Sequence, residues 1–206
     1  RPGYGTAIVD RGDAVLRRIE VPGRLPIAEL VGDAIAFPTA LPEADAAPLR
    51  AQAVVFGRVA LANEMLGAAD ACVNMAIDYA GQREQFGQAI GAFQAVRHLL
   101  AWARTDCAAV ESVARRAVAL GTETPARFDE ALKAIAGRNG RKACERALQV
   151  FGGIGFTAEH DHHHFHGRVL ALDALLGTSA ELTNSLGAWL RTERHDPRWA
   201  SAILSS

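Results

Sequence analysis

The sequence predicts a mainly α fold, an antiparallel bundle of long helices with a short β-rich N-terminal remnant. Three observations lead there. Prolines crowd the first quarter, with Pro22, Pro26, Pro38, Pro42 and Pro48, whereas only Pro125 and Pro197 interrupt the rest. Beyond them, apolar residues recur at helical spacing over runs of about thirty residues. Short glycine-bearing turns separate the runs, which suits an up-and-down bundle of helices about 45 Å long at 1.5 Å per residue. Such helices bury further faces against another chain, so an oligomer is expected.

With 206 residues, 50% of them hydrophobic and 22% charged, the chain can bury a sizeable core. Twenty-two basic residues against 23 acidic ones leave a net charge of −1, which argues against nucleic acid or an anionic membrane as a partner. No apolar run approaches about 18 residues, and RPGYGTAIVD lacks the layout of a signal peptide, so a cytoplasmic protein is expected.

The elements follow in order. TAIVD and AVLRRI read as short strands punctuated by glycines, and residues 1–47 as a strand remnant and linker. Val55, Val59, Ala62, Leu66, Val73 and Ile77 place a first helix from about Pro48 to Gly81. Ile90, Phe93, Val96, Leu100, Val110, Val113, Ala117 and Leu120 mark a second that stops at Gly121. Thr124-Pro125 reads as an N-cap with proline at the first helical position, opening a third through Leu132, Ile135 and Ala147 to Gly152. Helices from Phe165 to Leu175 and from Thr178 to Leu190 complete a bundle domain over 48–194, with 195–206 as a tail. Cys72, Cys107 and Cys144 sit inside helical patterns and read as small buried hydrophobes without an activating neighbour in sequence.

Two stretches carry candidate chemistry. In GQREQFGQAIGAFQ, Arg83, Gln85 and Gln88 surround Phe86 and Gly87 at a helix junction, and the plain reading is a charged turn with a buried phenylalanine. In QVFGGIGF, Gly152, Gly153 and Gly155 allow close backbone approach to a ligand, and with Gln149 such a turn suits a pyrophosphate or ribose. A helix C-cap explains the glycines equally well.

Taken together and in this order, the two stretches resemble the C-terminal domain of the acyl-CoA dehydrogenase family of flavoproteins, over about Val54 to Leu190. The N-terminal stretch resembles the end of that family's middle β-domain. The resemblance implies a homo- or hetero-oligomer that oxidises an acyl-CoA thioester, a carboxylate taking the α-proton while the β-hydride passes to FAD. It assigns Arg83, Phe86 and Gln94 to the FAD diphosphate and adenosine end, and Gln149, Gly152 and Gly153 to the same end across a subunit interface. An arginine fork matches diphosphate geometry, and bare glycine amides admit a phosphate without a clash.

The pattern breaks at the base. Where the family has a Tyr-Glu-Gly-Thr-like stretch, this chain has Leu175-Leu176-Gly177-Thr178, so Leu176 stands in the glutamate's place. Counting back from Arg83, the alternative base position falls on Gly57. The preceding Arg-Asp pair is Gly167-Arg168, and the following glutamine is Ala180; Gly177 and Thr178 persist. Asp173, one turn before Leu176, is the nearest carboxylate and the candidate for a displaced base; Glu64 and Asp70 are weaker ones. The resemblance thus implies a non-catalytic subunit of a heteromer, like those of actinobacterial acyl-CoA dehydrogenases that act on steroid or other bulky side-chain esters. The rivals are a self-sufficient dehydrogenase with a displaced base and a flavin-free scaffold. His160, His162, His163, His164 and His166 lack a second ligand cluster, so no metal is expected and a solvated loop and helix start is the reading.

Overall fold

The computed structural model describes residues 7–8, 15–30, 39–40, 42–120 and 125–192. The tail expected at 195–206 and the cap expected at Thr124 lie outside them. Five helices carry the fold: α1 (Glu43–Gln82), α2 (Gln94–Leu120), α3 (Phe128–Phe151), α4 (His162–Asp173) and α5 (Ser179–Thr192). The strands form three two-stranded antiparallel pairings: β1 (Ala7–Ile8) with β4 (Thr39–Ala40), β2 (Leu16–Ile19) with β3 (Ile27–Leu30), and β5 (Glu84–Gln85) with β6 (Gln88–Ala89). Among the described residues no helix is long and apolar enough to cross a membrane.

The core lies between α1, α2 and α3. On α2, Ala103, Cys107, Val110 and Ala114 are buried at steps of four, three and four, which is one face of a helix. On α1 and α3 the buried residues are mostly small: Ala62, Ala69, Cys72, Ala76 and Ala80 face Ala136, Gly140, Ala143, Cys144 and Ala147. Small side chains let the two backbones approach closely. A β-carbon added to Gly140 would stand 3.7 Å from the Ala69 Cβ and 3.7 Å from the Met65 carbonyl oxygen. The β2–β3 hairpin docks on α4 through a glycine-to-glycine contact, where Gly23, with φ +79°, lies against the backbone of Gly167 and Arg168.

Several boundaries differ from the sequence reading, among them α4, which runs from His162 to Asp173 rather than from Phe165 to Leu175. α1 starts five residues before Pro48 and takes it in near its N-terminus, where only one intrahelical bond is lost. α3 starts at Phe128 rather than at Pro125, because Arg127 in the left-handed region forms the cap position. Phe93, read as helical, instead ends a 3-10 turn over Ile90–Ala92, and α2 begins at Gln94.

Candidate functional site

The Arg83 region is a hairpin. Phe86 (φ +55°) and Gly87 (φ +80°) form the two-residue loop between β5 and β6, and two consecutive positive φ values are what the tightest hairpin turns require. Gly87 adopts this freely, whereas Phe86 is held there at a cost. The loop thrusts Phe86 into solvent at 93% exposure, with only an edge contact to Phe93, so it is not the buried phenylalanine of the plain sequence reading.

The glycine-rich turn follows the last residue of α3. Gly152 has φ +64° and its N–H closes the helix on the Leu148 carbonyl, so it serves as the C-cap. A 3-10 turn over Gly152–Phe156 then carries the chain away, and a β-carbon at Gly152 or Gly153 would meet nothing within 4 Å. The cap reading thus holds at Gly152, and only Gly152 and Gly153 leave open backbone, because Gly155 is buried and a β-carbon there would meet Leu148 and Phe151. Tyr79, Arg83, Gln85 and Ile90 from one side and Val150, Phe151, Gly153 and Ile154 from the other line a cleft of about 480 Å³. Its floor is aromatic: Phe151 is buried, makes an edge contact with Tyr79 at 5.5 Å, and lies under the His160 ring at 4.1 Å. The Arg83 and Gln149 side chains make no hydrogen bond or ion pair with any described residue. Gln149 on α3 and Gln94 at the start of α2 are exposed and stand outside the cleft lining.

A second cluster lies at the other end of α1. Gly57 follows the exposed Val55 and Phe56 on α1, and a β-carbon there would stand 2.5 Å from Leu176 Cδ1. Arg58 Nε donates to the Leu176 carbonyl at 3.0 Å, and its NH1 pairs with Asp129 at 3.0 Å and Glu130 at 3.4 Å in the first turn of α3. Lys133, fully buried, donates from Nζ to the carbonyls of Asp173 and Gly177 at 3.0 Å each and lies 3.6 Å from the Asp173 carboxylate. Burial pushes its pKa below the ordinary lysine value, against the pull of Asp173. The Asp173 carboxylate accepts from the Ser179 N–H and hydroxyl, both at 3.0 Å. Thr178 closes the loop as a capping box with Glu181: its N–H and hydroxyl reach the glutamate carboxylate at 2.9 Å, and the Glu181 N–H returns to its hydroxyl at 3.2 Å. Those bonds hold the Glu181 carboxyl below its usual pKa. Glu64 pairs with Arg168, and Asp70 with Arg104.

The structure thus brings Arg83 and Gly153 together, brings Gly57 and Leu176 together, and separates the two groups. Sequence reasoning missed Lys133 and Arg58. A lysine flanked by apolar residues in ALKAIAG was the available signal for the first; Arg58, beside Gly57, had none. His162 is 2% exposed, not solvated as read, because its imidazole Nε2 reaches the Cys144 carbonyl at 2.9 Å. Among the described residues no group of His, Cys, Asp and Glu is arranged to hold a metal ion.

Comparison with known proteins gives one family match: the profile for the acyl-CoA dehydrogenase C-terminal domain covers residues 49–190. Acyl-CoA dehydrogenase FadE34 of Mycobacterium tuberculosis is 39% identical over 137 residues, covering 64% of this chain and 18% of that protein. Acyl-CoA dehydrogenase IpdE2 of the same organism is 33% identical over 129 residues, covering 62% of this chain and 39% of that protein. A variant of the Tcur3481-Tcur3483 steroid ACAD matches in structure at a TM-score of 0.75 and 25% identity, over 91% of this chain and 51% of that one. The ChsE4-ChsE5 complex of M. tuberculosis shares the fold at a TM-score of 0.70 and 20% identity, over 87% of this chain and 50% of that one. The chain spans well under half the length of these two curated relatives and about half that of the solved chains.

Proposed function

Because the chain belongs to the acyl-CoA dehydrogenase family, matched through the C-terminal domain, we propose that it grips one end of FAD in an acyl-CoA dehydrogenase oligomer without supplying the base. The family is FAD-dependent, an oxidoreductase class acting on CH–CH bonds. In this reading residues 1–47 are the end of a β-domain, 48–194 the helical domain and 195–206 a tail.

One observation carries the proposal: the chain keeps an open arginine-and-glycine cleft at one end of α1 and has no carboxylate at either expected base position at the other. FAD, when bound, supplies the hydride acceptor. The cleft fits its diphosphate and adenosine end, since the Arg83 guanidinium has no partner among the described residues and the turn at Gly152 and Gly153 leaves open space for an anion. Phe86, thrust outward on the hairpin tip, offers an apolar face to the same end, and Gln94 and Gln149 are exposed. Gly57 and Arg83 lie twenty-six residues apart on one helix, about 39 Å at 1.5 Å per residue, further than one dinucleotide reaches. The Arg83 edge and the loop at Thr178 therefore serve different cofactors, as in an oligomer whose subunits complete each other's sites. The two-component names of Tcur3481-Tcur3483 and ChsE4-ChsE5 support a heteromeric assembly for relatives of this chain.

The rival with Asp173 as displaced base is disfavoured by the engagement of both its carboxylate oxygens with Ser179 and Lys133. A flavin-free scaffold leaves the open Arg83 cleft without a purpose. The test is FAD stoichiometry of the chain alone and co-purified with acyl-CoA dehydrogenase partners. A complex that holds FAD and loses it on Arg83→Ala with Gln149→Ala upholds the reading; a complex that retains full FAD in that double variant overturns it.

A further inference from the structure

The histidine run between the glycine-rich turn and α4 is wired by hydrogen bonds, and each bond fixes where a proton sits. The His162 backbone N–H donates to His160 Nδ1 at 3.1 Å, so that nitrogen carries no hydrogen. His163 Nδ1 lies 2.7 Å from the His160 carbonyl and His162 Nε2 lies 2.9 Å from the Cys144 carbonyl; a carbonyl only accepts, so both of those nitrogens carry one. A second proton on His162 or His163 leaves their bonds standing. A second proton on His160 falls on the acceptor itself and breaks its bond.

His160 also stands where that loss is felt. The amide it accepts is the first of α4, whose N-cap residue Asp161 makes no side-chain cap bond. An acceptor two residues before its donor has the geometry of an Asx turn, so the neutral imidazole takes the place of the missing cap. The same ring lies 4.1 Å from the Phe151 ring, which meets Tyr79 of α1 edge-on and lines the Arg83 cleft. His160 is half-buried between exposed Glu159 and Asp161, so solvent protons reach it.

We propose that His160 is an acid-released latch: neutral, it caps α4 and holds the Phe151 floor of the Arg83 cleft in place; protonated, it lets go of both. The latch rests on the proposed cofactor cleft for its use, not for its existence. A cation at the first turn of α4 also opposes the positive end of the helix dipole, so repulsion adds to the loss of the acceptor. The groups that face His160 are Asp161 beside it, His162 and His163 from α4, with His164 stacked on His163 at 3.8 Å, the uncharged Phe151 from α3, and Tyr79 from α1 across the Phe151 ring. Burial first and then His162 hold the His160 pKa below the ordinary imidazole value, His163 adding to this and Asp161 opposing it. The latched state therefore prevails above about pH 6.5 and gives way as the pH falls through the lowered value. The imidazolium also brings positive charge toward a cleft suited to an anion. His160 stands outside the cleft lining, where solvent screens that charge, whereas lost packing on Phe151 acts on the floor directly. Release therefore loosens the cleft.

The experiment follows the full chain alone from about pH 7.5 to about pH 5.5, the range in which imidazoles titrate, by histidine nitrogen NMR and amide exchange. Expected are the Nε2–H tautomer of His160 at the upper pH, then, as it titrates, loss of its ring contact with Phe151 and a fall of about fivefold in protection of the His162 amide, what one ordinary hydrogen bond contributes. His160→Asn puts an acceptor that does not titrate at the same turn position and keeps the amide protected throughout. His160→Phe keeps a ring but no acceptor and leaves the amide unprotected throughout. An Nδ1–H tautomer at the upper pH, protection that ignores pH, or a fall that persists in His160→Asn overturns the latch. In a flavin-bearing complex FAD leaves severalfold faster at the lower pH, and at one rate at both in His160→Asn; a wild-type release rate that ignores pH overturns the link to the cleft. A complex that holds no FAD at either pH counts against the proposed function alone, because the latch and its contact with Phe151 are read on the lone chain.

Discussion

Leu176 and Gly57, 119 residues apart in sequence, meet in space: the leucine Cδ1 fills the place where a side chain at position 57 would begin. The contact is at the free end of a leucine that is 40% exposed, so it can move aside. Gly57→Ala is expected to raise stability by about 0.5 kcal/mol, the helix preference for alanine over glycine less a small cost for turning Leu176. Denaturant melts of the variant check this, and a loss above about 1 kcal/mol would show that Leu176 is fixed.

The same meeting point is where a carboxylate belongs in the proposed chemistry. Leu176→Glu puts an acid beside Gly57, on a loop whose backbone Arg58 already holds through the Leu176 carbonyl. In a complex that carries FAD, this variant is expected to gain substrate-driven flavin bleaching by about 10²- to 10⁴-fold, the usual contribution of a positioned base. Stopped-flow absorbance reads it out; no gain with FAD retained would mean that the loop does not face the substrate.

Asp173 gives the loop its shape. Gly137 packs so closely that a β-carbon there would overlap the Asp173 carboxylate, and Lys133 is buried against it. Asp173→Ala is expected to cost about 2–3 kcal/mol, because the Ser179 amide and hydroxyl lose their acceptor and the buried ammonium loses its counter-charge. FAD content of the complex should be unchanged. Lost bleaching without lost stability would instead revive the displaced-base reading.

The long helices were legible because an apolar period of 3.6 persists over twenty or more residues. The hairpin at Phe86 was not: strands of two residues carry no period, and the turn depends on a phenylalanine at positive φ, which no composition rule favours. The two candidate motifs were legible as pairs of residue types, and Arg83 does meet Gly153. Gln149 and Gln94 stand outside the cleft lining, because nothing in a spacing tells which way a residue at a helix end turns. The histidine run misled for the opposite reason. Polar neighbours suggested solvent, yet α4 turns His162 inward onto the Cys144 carbonyl at 2.9 Å.

His166 should make the fold acid-sensitive. Its Nε2 is buried without a hydrogen-bond partner among the described residues, and burial first, then His162, push its pKa below the usual imidazole value against the pull of Glu145 on α3, whose Arg141 adds to the lowering. As the pH falls below about 6.5 the unfolded chain binds this proton before the folded one does, so stability present above that pH is lost through the window down to the lowered value. His166→Leu is expected to add about 1 kcal/mol at pH 7 by removing the orphaned nitrogen. It should also flatten the acid slope of the unfolding free energy between pH 7 and 5, and an unaltered slope would reject the assignment.

Phe86 sets stability against the proposed cofactor grip. In the left-handed region a bulky residue costs about 1 kcal/mol, and because the Phe86 ring is almost fully exposed its edge contact with Phe93 offsets only part of that. Asparagine before glycine suits the two-residue turn best, so Phe86→Asn is expected to stabilise the chain alone by about 0.5 kcal/mol. In complex with a flavin-bearing partner the same change removes the apolar face at the hairpin tip and should weaken FAD retention severalfold. Parallel melts of the lone chain and FAD titrations of the complex separate the two effects. A variant that gains stability and keeps FAD would place the cofactor elsewhere than at this tip, whereas one that loses both would make the Phe86 ring part of the packing rather than part of the grip.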